Sequence, residues 1–231
     1  MPELFIANKN YSSWSLRPWV LMRALDIPFT ERLVPFETDG RHEAFLDFSP
    51  TGKVPCLHAD GLVVWESLAI VEFLADRHPG VWPDAPVARA WARSAAAEMH
   101  AGFSALRETC SMNCGVRVAL HEISPALAAD LARLDALLGQ GLAQFGGPFL
   151  TGAAFTAADA FFAPVVFRIQ TYGLQLAAPV MSWVAHMLAV PAMQAWYQAG
   201  LAETTRIAPY EVAIAQAGRL VEDLRALQAG V

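Results

Sequence analysis

Charged residues are scarce in this sequence: Asp, Glu, Lys and Arg make up 16% of the 231 residues, whereas hydrophobic residues make up 55%. Disordered chains combine high charge with low hydrophobicity, so this composition excludes disorder and indicates a packed core. No cluster of basic residues is present, and 16 Lys and Arg against 22 Asp and Glu leave a net charge of −6. Because nucleic-acid binding depends on basic residues that neutralise phosphates, we expect no nucleic-acid partner.

The sequence also lacks an uninterrupted apolar run of about 20 residues, the length that a membrane-spanning helix needs. Residues 169–202 contain no Asp, Glu, Lys or Arg, but glutamines and two prolines interrupt them, so we expect buried helices and no membrane contact. The N-terminus has no basic segment followed by a long apolar core, and so no signal peptide is predicted. Three cysteines without CxxC spacing argue against a disulfide scaffold and favour the cytoplasm. No His or Cys cluster completes a metal site, so no metal is predicted.

Up to residue 80 the hydrophobic pattern alternates between strand and helix periods. Short apolar runs predict four strands, at residues 4–7, 30–34, 54–58 and 62–65. Helical spacing predicts three helices, at residues 15–25, 41–48 and 67–76. The predicted order is therefore β-α-β-α-β-β-α, with Asp60-Gly61 as a strong hairpin signal between the last two strands.

Strand patterns disappear after a proline-rich linker that ends at Pro86. Helices are predicted at residues 87–112, 124–144, 156–172 and 209–228, with two shorter ones broken at Pro191. Thr156 and Asp159 have the spacing of a capping box, which is a structural signal. The sequence thus predicts an α/β domain over 1–80 and an all-helical domain over 87–231.

Three junctions in the first domain carry polar groups suited to a peptide-like anion. The first is YSSWSLR at residues 11–17, where a hydroxyl at a helix N-terminus can donate to a thiolate and lower its pKa. Serines before a helix are also ordinary caps. The second is Val54-Pro55, where a cis bond would present the backbone of Val54 to a ligand, although trans bonds are far more frequent. The third is Glu66-Ser67, which would bind the ammonium and carboxylate of an amino acid, or simply cap a helix.

These segments, in this order, resemble the glutathione transferase superfamily over nearly the whole chain. Residues 12–17 are most similar to the Ser-Ser-Cys-x-x-Arg signature of the bacterial zeta-like class, with Trp14 in place of the cysteine. The resemblance implies a thioredoxin-like domain that binds glutathione, followed by a helical domain. It implies that Ser12 is the catalytic residue, with Tyr11 as a competitor. It also implies a set of glutathione-binding residues: Ser13, Lys53, Val54, Pro55, Glu66 and Ser67.

A second substrate would lie between the domains, against the first long helix of the helical domain. Candidates for its pocket are Trp14, Met99, Phe103 and Arg107, although Met and Phe at helical spacing are more often core residues. Arg107 and Arg117 are suited to an acidic substrate, although exposed arginines usually face solvent.

The resemblance implies a cytoplasmic, dimeric glutathione transferase that conjugates the thiolate of glutathione to a small electrophile in detoxification. One alternative is a glutathione-dependent cis–trans isomerase similar to maleylacetoacetate isomerases, which would return glutathione unchanged. Another is a non-catalytic binding protein of the same fold. A glutaredoxin-like reductase is disfavoured because residues 11–17 contain no cysteine.

Overall fold

The computed structural model describes residues 1–225. The first part of the chain contains a four-stranded sheet with strands β1 to β4 at Glu3–Ile6, Thr30–Leu33, Cys56–Ala59 and Leu62–Trp65. Two α-helices and one short 3₁₀ helix accompany it, α1 at Ser13–Ala24, the 3₁₀ helix at Glu43–Asp47 and α2 at Ser67–Ala75. The predicted order β-α-β-α-β-β-α is confirmed, with the second helix shorter and more tightly wound than an α-helix.

The sheet is mixed and has the strand order β2-β1-β3-β4. β1 pairs in parallel with β2 and antiparallel with β3, which places β1 at the centre of the sheet. The hairpin between β3 and β4 turns at Asp60 and Gly61, which both have positive φ angles of 53° and 77°. That conformation matches the right-handed twist of paired strands, and Asp-Gly adopts it readily.

The rest of the described chain is mainly helical, as predicted. Its helices are α3 Pro86–Ala101, α4 Ser104–Thr109, α5 Pro125–Phe145, α6 Ala157–Tyr172, α7 Ala178–Ala189, α8 Pro191–Ala202 and α9 Ala208–Ala217. The single helix predicted over 87–112 is wrong, because the helix is interrupted between α3 and α4. At that break Phe103 adopts a left-handed conformation with φ 59°, which no continuous helix contains.

The second domain also contains a two-stranded antiparallel ribbon, β5 Val116–Leu120 with β6 Gly218–Asp223, so it is not purely helical. The helix predicted over 209–228 is therefore wrong beyond Ala217, and its predicted end lies outside the described residues. The change occurs at Gly218, where a Cβ atom would lie 2.2 Å from the carbonyl oxygen of Ala119. Glycine thus allows the backbones of β5 and β6 to approach closely at this point.

Helix α6 lies at the centre of the molecule and contacts α1 and α3. Nearly all of its side chains are buried, which explains its almost unbroken apolar sequence. The predicted capping box is confirmed: Thr156 accepts from the backbone N–H of Asp159, and the Asp159 carboxylate accepts from the Thr156 N–H at 3.1 Å. Within residues 1–225, no helix is long and apolar enough to cross a membrane.

Candidate functional site

Two adjoining cavities lie one in the sheet domain and one between that domain and the helical domain. The polar cavity, of about 240 Å³, is lined by Trp14, Thr51, Lys53, Val54, Pro55 and Glu66. The interdomain cavity, of about 310 Å³, shares Trp14, Lys53 and Val54 with it and also includes Ser12 and Ser13. The shared residues show that the two cavities have a common wall.

Most of the residues predicted to bind a peptide-like ligand meet in the polar cavity. The Val54–Pro55 bond is cis, as predicted, and both residues line the cavity immediately before β3. Glu66 lies between β4 and α2 with φ 67°, and its side chain also lines the cavity. Ser67 is not among the residues that line the cavity, and its side chain is fully buried. Its hydroxyl accepts a hydrogen bond from Arg17 at 3.4 Å.

Ser12 is the N-cap residue of α1, but its side chain makes no capping hydrogen bond. The hydroxyl instead donates to the Ser15 hydroxyl oxygen at 2.7 Å. Ser15 also accepts from the backbone N–H of Ala7 at 3.3 Å, which fixes its position. The hydroxyl of Ser12 can therefore exchange its neutral partner Ser15 for a ligand atom, and this exchange costs the helix no capping hydrogen bond.

Tyr11, the competing hydroxyl, is held by groups from the end of the chain. Its phenol donates to the Glu211 carboxylate at 2.8 Å and accepts from Arg225 at 3.2 Å. Burial raises the pKa of Tyr11 to about 12, and the hydrogen bond to Glu211 acts in the same direction. The phenol proton is thus already engaged in a hydrogen bond to the Glu211 carboxylate.

The interdomain cavity combines aromatic rings, hydroxyls and two arginines. Phe36, Phe45, Tyr210 and Ser111 contribute to its wall, together with Arg107 and Arg168. Among the described residues no Asp or Glu lines this cavity, so its charged groups are cationic. Such a wall favours a ligand with both apolar and anionic parts.

Sequence reasoning did not identify Arg168 or Tyr210. The Arg168 guanidinium donates to the Cys110 carbonyl at 2.8 Å, and burial lowers its pKa to about 10, with the like charge of Arg107 adding to the effect. The local signal for Arg168 in the sequence is an arginine within an otherwise largely apolar helical segment. Tyr210 belongs to α9 and carries no comparable local signal.

The four predicted residues of the second-substrate pocket separate into two pairs. Trp14 and Arg107 line the interdomain cavity, and the guanidinium of Arg107 stacks 4.7 Å from the Trp14 ring. Met99 and Phe103 do not line it, because both are buried in the hydrophobic core at the C-terminal end of α3. Arg117 also lies elsewhere and donates to the carbonyl of Val116 and the hydroxyl of Tyr197.

The three cysteines are not among the described residues that line either cavity. All three are unpaired and buried. Burial raises the pKa of Cys56 and raises that of Cys110 to about 12. Over residues 1–225 no group of three His, Cys, Asp or Glu side chains is placed to hold a metal ion.

The fold and site define a class of two-domain proteins in which a thioredoxin-like sheet domain and a helical domain enclose a two-part site. Residues 11–77 match the family model for the glutathione S-transferase N-terminal domain, and residues 118–199 match that for the C-terminal domain. The chain belongs to the glutathione S-transferase superfamily.

Curated relatives and solved structures agree with this assignment. A probable maleylacetoacetate isomerase of Caenorhabditis elegans is 26% identical over 200 residues, covering 83% of this chain and 90% of the relative. Glutathione S-transferase GstB of Escherichia coli K12 is 27% identical over 202 residues, covering 82% of this chain and 89% of the relative. A glutathione transferase homologue from Burkholderia GL BGR1, solved with bound glutathione, superposes with a TM-score of 0.64 at 21% identity, covering 86% of this chain and 97% of that one.

Proposed function

We propose that this glutathione transferase binds glutathione in the polar cavity, with Ser12 activating the thiol for attack on an electrophile in the interdomain cavity. The observation that carries the proposal is the wall that the two cavities share. Trp14, Lys53 and Val54 line both, and Ser12 lines the interdomain cavity. A thiol bound beside this shared wall would face both the Ser12 hydroxyl and a second substrate in the interdomain cavity.

The lining groups match the parts of glutathione one by one. The Glu66 carboxylate pairs with the α-ammonium group of the γ-glutamyl residue. The backbone of Val54 pairs with the cysteinyl residue, as in a short strand. Lys53 lies between the two cavities, where its ammonium group can reach the glycyl carboxylate. Ser13 follows Ser12 at the first turn of α1 and supports the loop around the thiol.

The chemistry begins when the thiol releases its proton to solvent water, since its ordinary pKa of about 8.5 leaves it mostly protonated at neutral pH. The Ser12 hydroxyl turns from Ser15 to the sulfur and donates to the thiolate, which stabilises the charged form. The thiolate then forms a carbon–sulfur bond with the electrophile. In conjugation the displaced group leaves with the bonding electron pair.

Cis–trans isomerisation is a second candidate, favoured by the cationic wall of the interdomain cavity. Arg107 and Arg168 can hold the carboxylates of an unsaturated diacid while the thiolate adds to its double bond, whose electron pair moves onto a conjugated carbonyl group of the substrate. Rotation about the resulting single bond and expulsion of the thiolate would then regenerate glutathione. Both candidates thus use one site and one nucleophile.

The test is a calorimetric titration with glutathione, followed by a panel of neutral and anionic electrophiles with product analysis. Conjugation consumes one glutathione for each product molecule, whereas isomerisation returns it. Binding of glutathione with neither reaction across the panel would favour a non-catalytic binding protein. Absence of glutathione binding would refute the proposal.

We also propose that the protein is a cytoplasmic homodimer that acts in detoxification. The edge strand β4 exposes Leu62, Val63 and Trp65, and an apolar edge strand is a common surface for association. Light scattering over a concentration series tests the dimer, and a Val63→Lys variant should shift the equilibrium toward the monomer. A wild-type protein that stays monomeric at high concentration would contradict it.

A further inference from the structure

The turn that leads into Ser12 is held by the helical domain. It spans residues 8–12, between β1 and α1, and the Ser12 N–H closes it by donating to the Asn8 carbonyl at 2.8 Å. Lys9 and Asn10 form the tip of this turn. All four backbone polar groups of these two residues have hydrogen-bond partners in the helical domain. The place of Ser12 is therefore set across the boundary between the domains.

Two of the four groups, the neighbouring N–H groups, share one carboxylate. Glu203 accepts from the Lys9 N–H at 2.6 Å with one oxygen and from the Asn10 N–H at 3.1 Å with the other. The carbonyl oxygens accept from the Trp196 indole at 2.8 Å and from the Cys114 backbone N–H at 3.2 Å. Of these three partners only Glu203 is charged, and charge-assisted hydrogen bonds are roughly twice as strong as neutral ones. The carboxylate therefore makes the strongest of these contacts.

The position of Glu203 is unfavourable for the helix that carries it. Glu203 directly follows the last residue of α8, where the negative end of the helix dipole disfavours an acidic side chain. Its side chain is half-buried, and burial raises its pKa against the opposing effect of the two N–H groups and of Lys9. An acidic residue here thus costs the helix stability, and what it gains is the pair of hydrogen bonds to the turn.

A glycine lets the end of α8 come close enough for this contact. A Cβ atom at Gly200 would lie 3.3 Å from the backbone nitrogen of Asn10 and 3.5 Å from the carbonyl carbon of Lys9. Gly200 lies one turn before Glu203, whose N–H donates to the Gly200 carbonyl at 3.3 Å. The last turn of α8 therefore rests directly on the turn before Ser12.

We propose that Glu203 is a positioning residue for the Ser12 hydroxyl. Its carboxylate fixes the tip of the turn, and the turn sets where the N-cap residue of α1 presents its hydroxyl to the interdomain cavity. Glu203 is not among the described residues that line either cavity, so it acts through the backbone of Lys9 and Asn10. This role rests on the proposed function, in which Ser12 activates the thiol, and it makes the thiol pKa depend on the helical domain.

The experiment measures the thiol pKa of bound glutathione by thiolate absorbance in a Glu203→Gln variant. A carboxamide has one acceptor oxygen, so it can satisfy only one of the two N–H groups. We expect the thiol pKa to rise by up to about one unit, the shift expected for Ser12→Ala. The sign is diagnostic, because removal of a nearby negative charge would by itself lower the thiol pKa. Calorimetric affinity for glutathione, taken well below the thiol pKa, should stay within about twofold of wild type.

A double variant tests whether Glu203 acts through Ser12. Ser12→Ala combined with Glu203→Gln should give the same thiol pKa as Ser12→Ala alone, because the hydroxyl to be positioned is already absent. A purely structural role would instead add a further shift or weaken glutathione.

Glu31→Gln is the matched control. Glu31 binds the side chains of Lys9 and Trp19, so its loss leaves both N–H groups of the turn bonded to Glu203. It should leave the thiol pKa unchanged. Should Glu203→Gln not fold, Glu203→Asp provides the test, because it keeps the charge and withdraws it from the turn by one methylene group. It should show a smaller rise, which Ser12→Ala again abolishes.

An unchanged or lowered thiol pKa in Glu203→Gln, an equal rise in Glu31→Gln, or additive shifts in the double variant would overturn the role of Glu203. The proposed function would still stand if wild type binds glutathione and Ser12→Ala raises the thiol pKa. Wild-type protein that binds no glutathione would overturn the proposed function and the role of Glu203 together.

Discussion

Replacing Ser12 with alanine removes one oxygen atom at the start of α1 and leaves the surrounding hydrogen bonds almost intact. The hydroxyl caps no backbone group, and its present partner is the neutral Ser15 hydroxyl at 2.7 Å. Ser15 keeps the hydrogen bond from the Ala7 N–H in the variant. The substitution therefore tests thiol activation with little change in the fold.

The expected magnitude follows from the exchange of one hydrogen bond for another. A hydrogen bond to a charged group contributes about 1.5–3 kcal/mol, and a neutral one about 1 kcal/mol. Turning Ser12 from Ser15 to the thiolate thus gains about 1 kcal/mol, which corresponds to nearly one pKa unit. We expect Ser12→Ala to raise the pKa of the bound thiol by about one unit and to lower the rate about tenfold below that pKa.

The assay is a pH titration of thiolate absorbance in the complex with glutathione. Ser13→Ala and Tyr11→Phe serve as controls and should leave the thiol pKa unchanged. Tyr11→Phe should instead lower stability, since its phenol joins Glu211 and Arg225. A thiol pKa that rises in Tyr11→Phe and not in Ser12→Ala would refute the assignment. An unchanged thiol pKa in all three variants would indicate that the backbone N–H groups at the start of α1, and not a hydroxyl, stabilise the thiolate.

Three further outcomes are expected. Glu66→Gln should weaken glutathione by roughly 1.5–3 kcal/mol in calorimetry, and unchanged affinity in the folded variant would place the anchor elsewhere. Asp159→Ala should lower the free energy of unfolding by roughly 3–5 kcal/mol, because it deprives the buried N–H groups of Leu150, Thr156 and Trp183 of their acceptor. The control is Asp135→Ala: half-buried Asp135 accepts from one backbone N–H, that of Ala177, so its loss should cost about 1 kcal/mol, and equal losses in the two variants would contradict this account. All three cysteines should resist a thiol reagent in the native protein and react in denaturant, and rapid native reaction would contradict their burial.

The first domain was predictable because its signals are local. Each strand and helix carries its own periodicity, and the Asp60-Gly61 turn is specified by two adjacent residues. The ribbon of β5 and β6 was not predictable in this way, because each strand is completed by a partner far along the chain. Residues that follow α9 continue an apolar pattern compatible with a helix, and only contact with Ala119 shows why Gly218 ends it.

The site divides along the same line. Val54, Pro55 and Glu66 belong to short motifs within the sheet domain, and the structure places all three in the polar cavity. The interdomain cavity draws Arg168 from α6 and Tyr210 from α9, and no local pattern connects these two residues with α1. The lining of the polar cavity was therefore predictable in residue detail, whereas the lining of the interdomain cavity depends on packing between distant helices.

The choice between Ser12 and Tyr11 illustrates why adjacent residues can be inseparable by sequence alone. Both carry a hydroxyl, both precede the same helix and both line the interdomain cavity. What distinguishes them is Glu211, which binds the Tyr11 phenol from the far end of the chain, together with Arg225. The Tyr11 phenol would have to break its hydrogen bond to a carboxylate before it could donate to a thiolate. Ser12 would have to break only its hydrogen bond to the neutral Ser15 hydroxyl. Under the proposed function, the C-terminal segment thus favours Ser12 by engaging its neighbour Tyr11, and among the described residues no hydrogen bond joins that segment to Ser12.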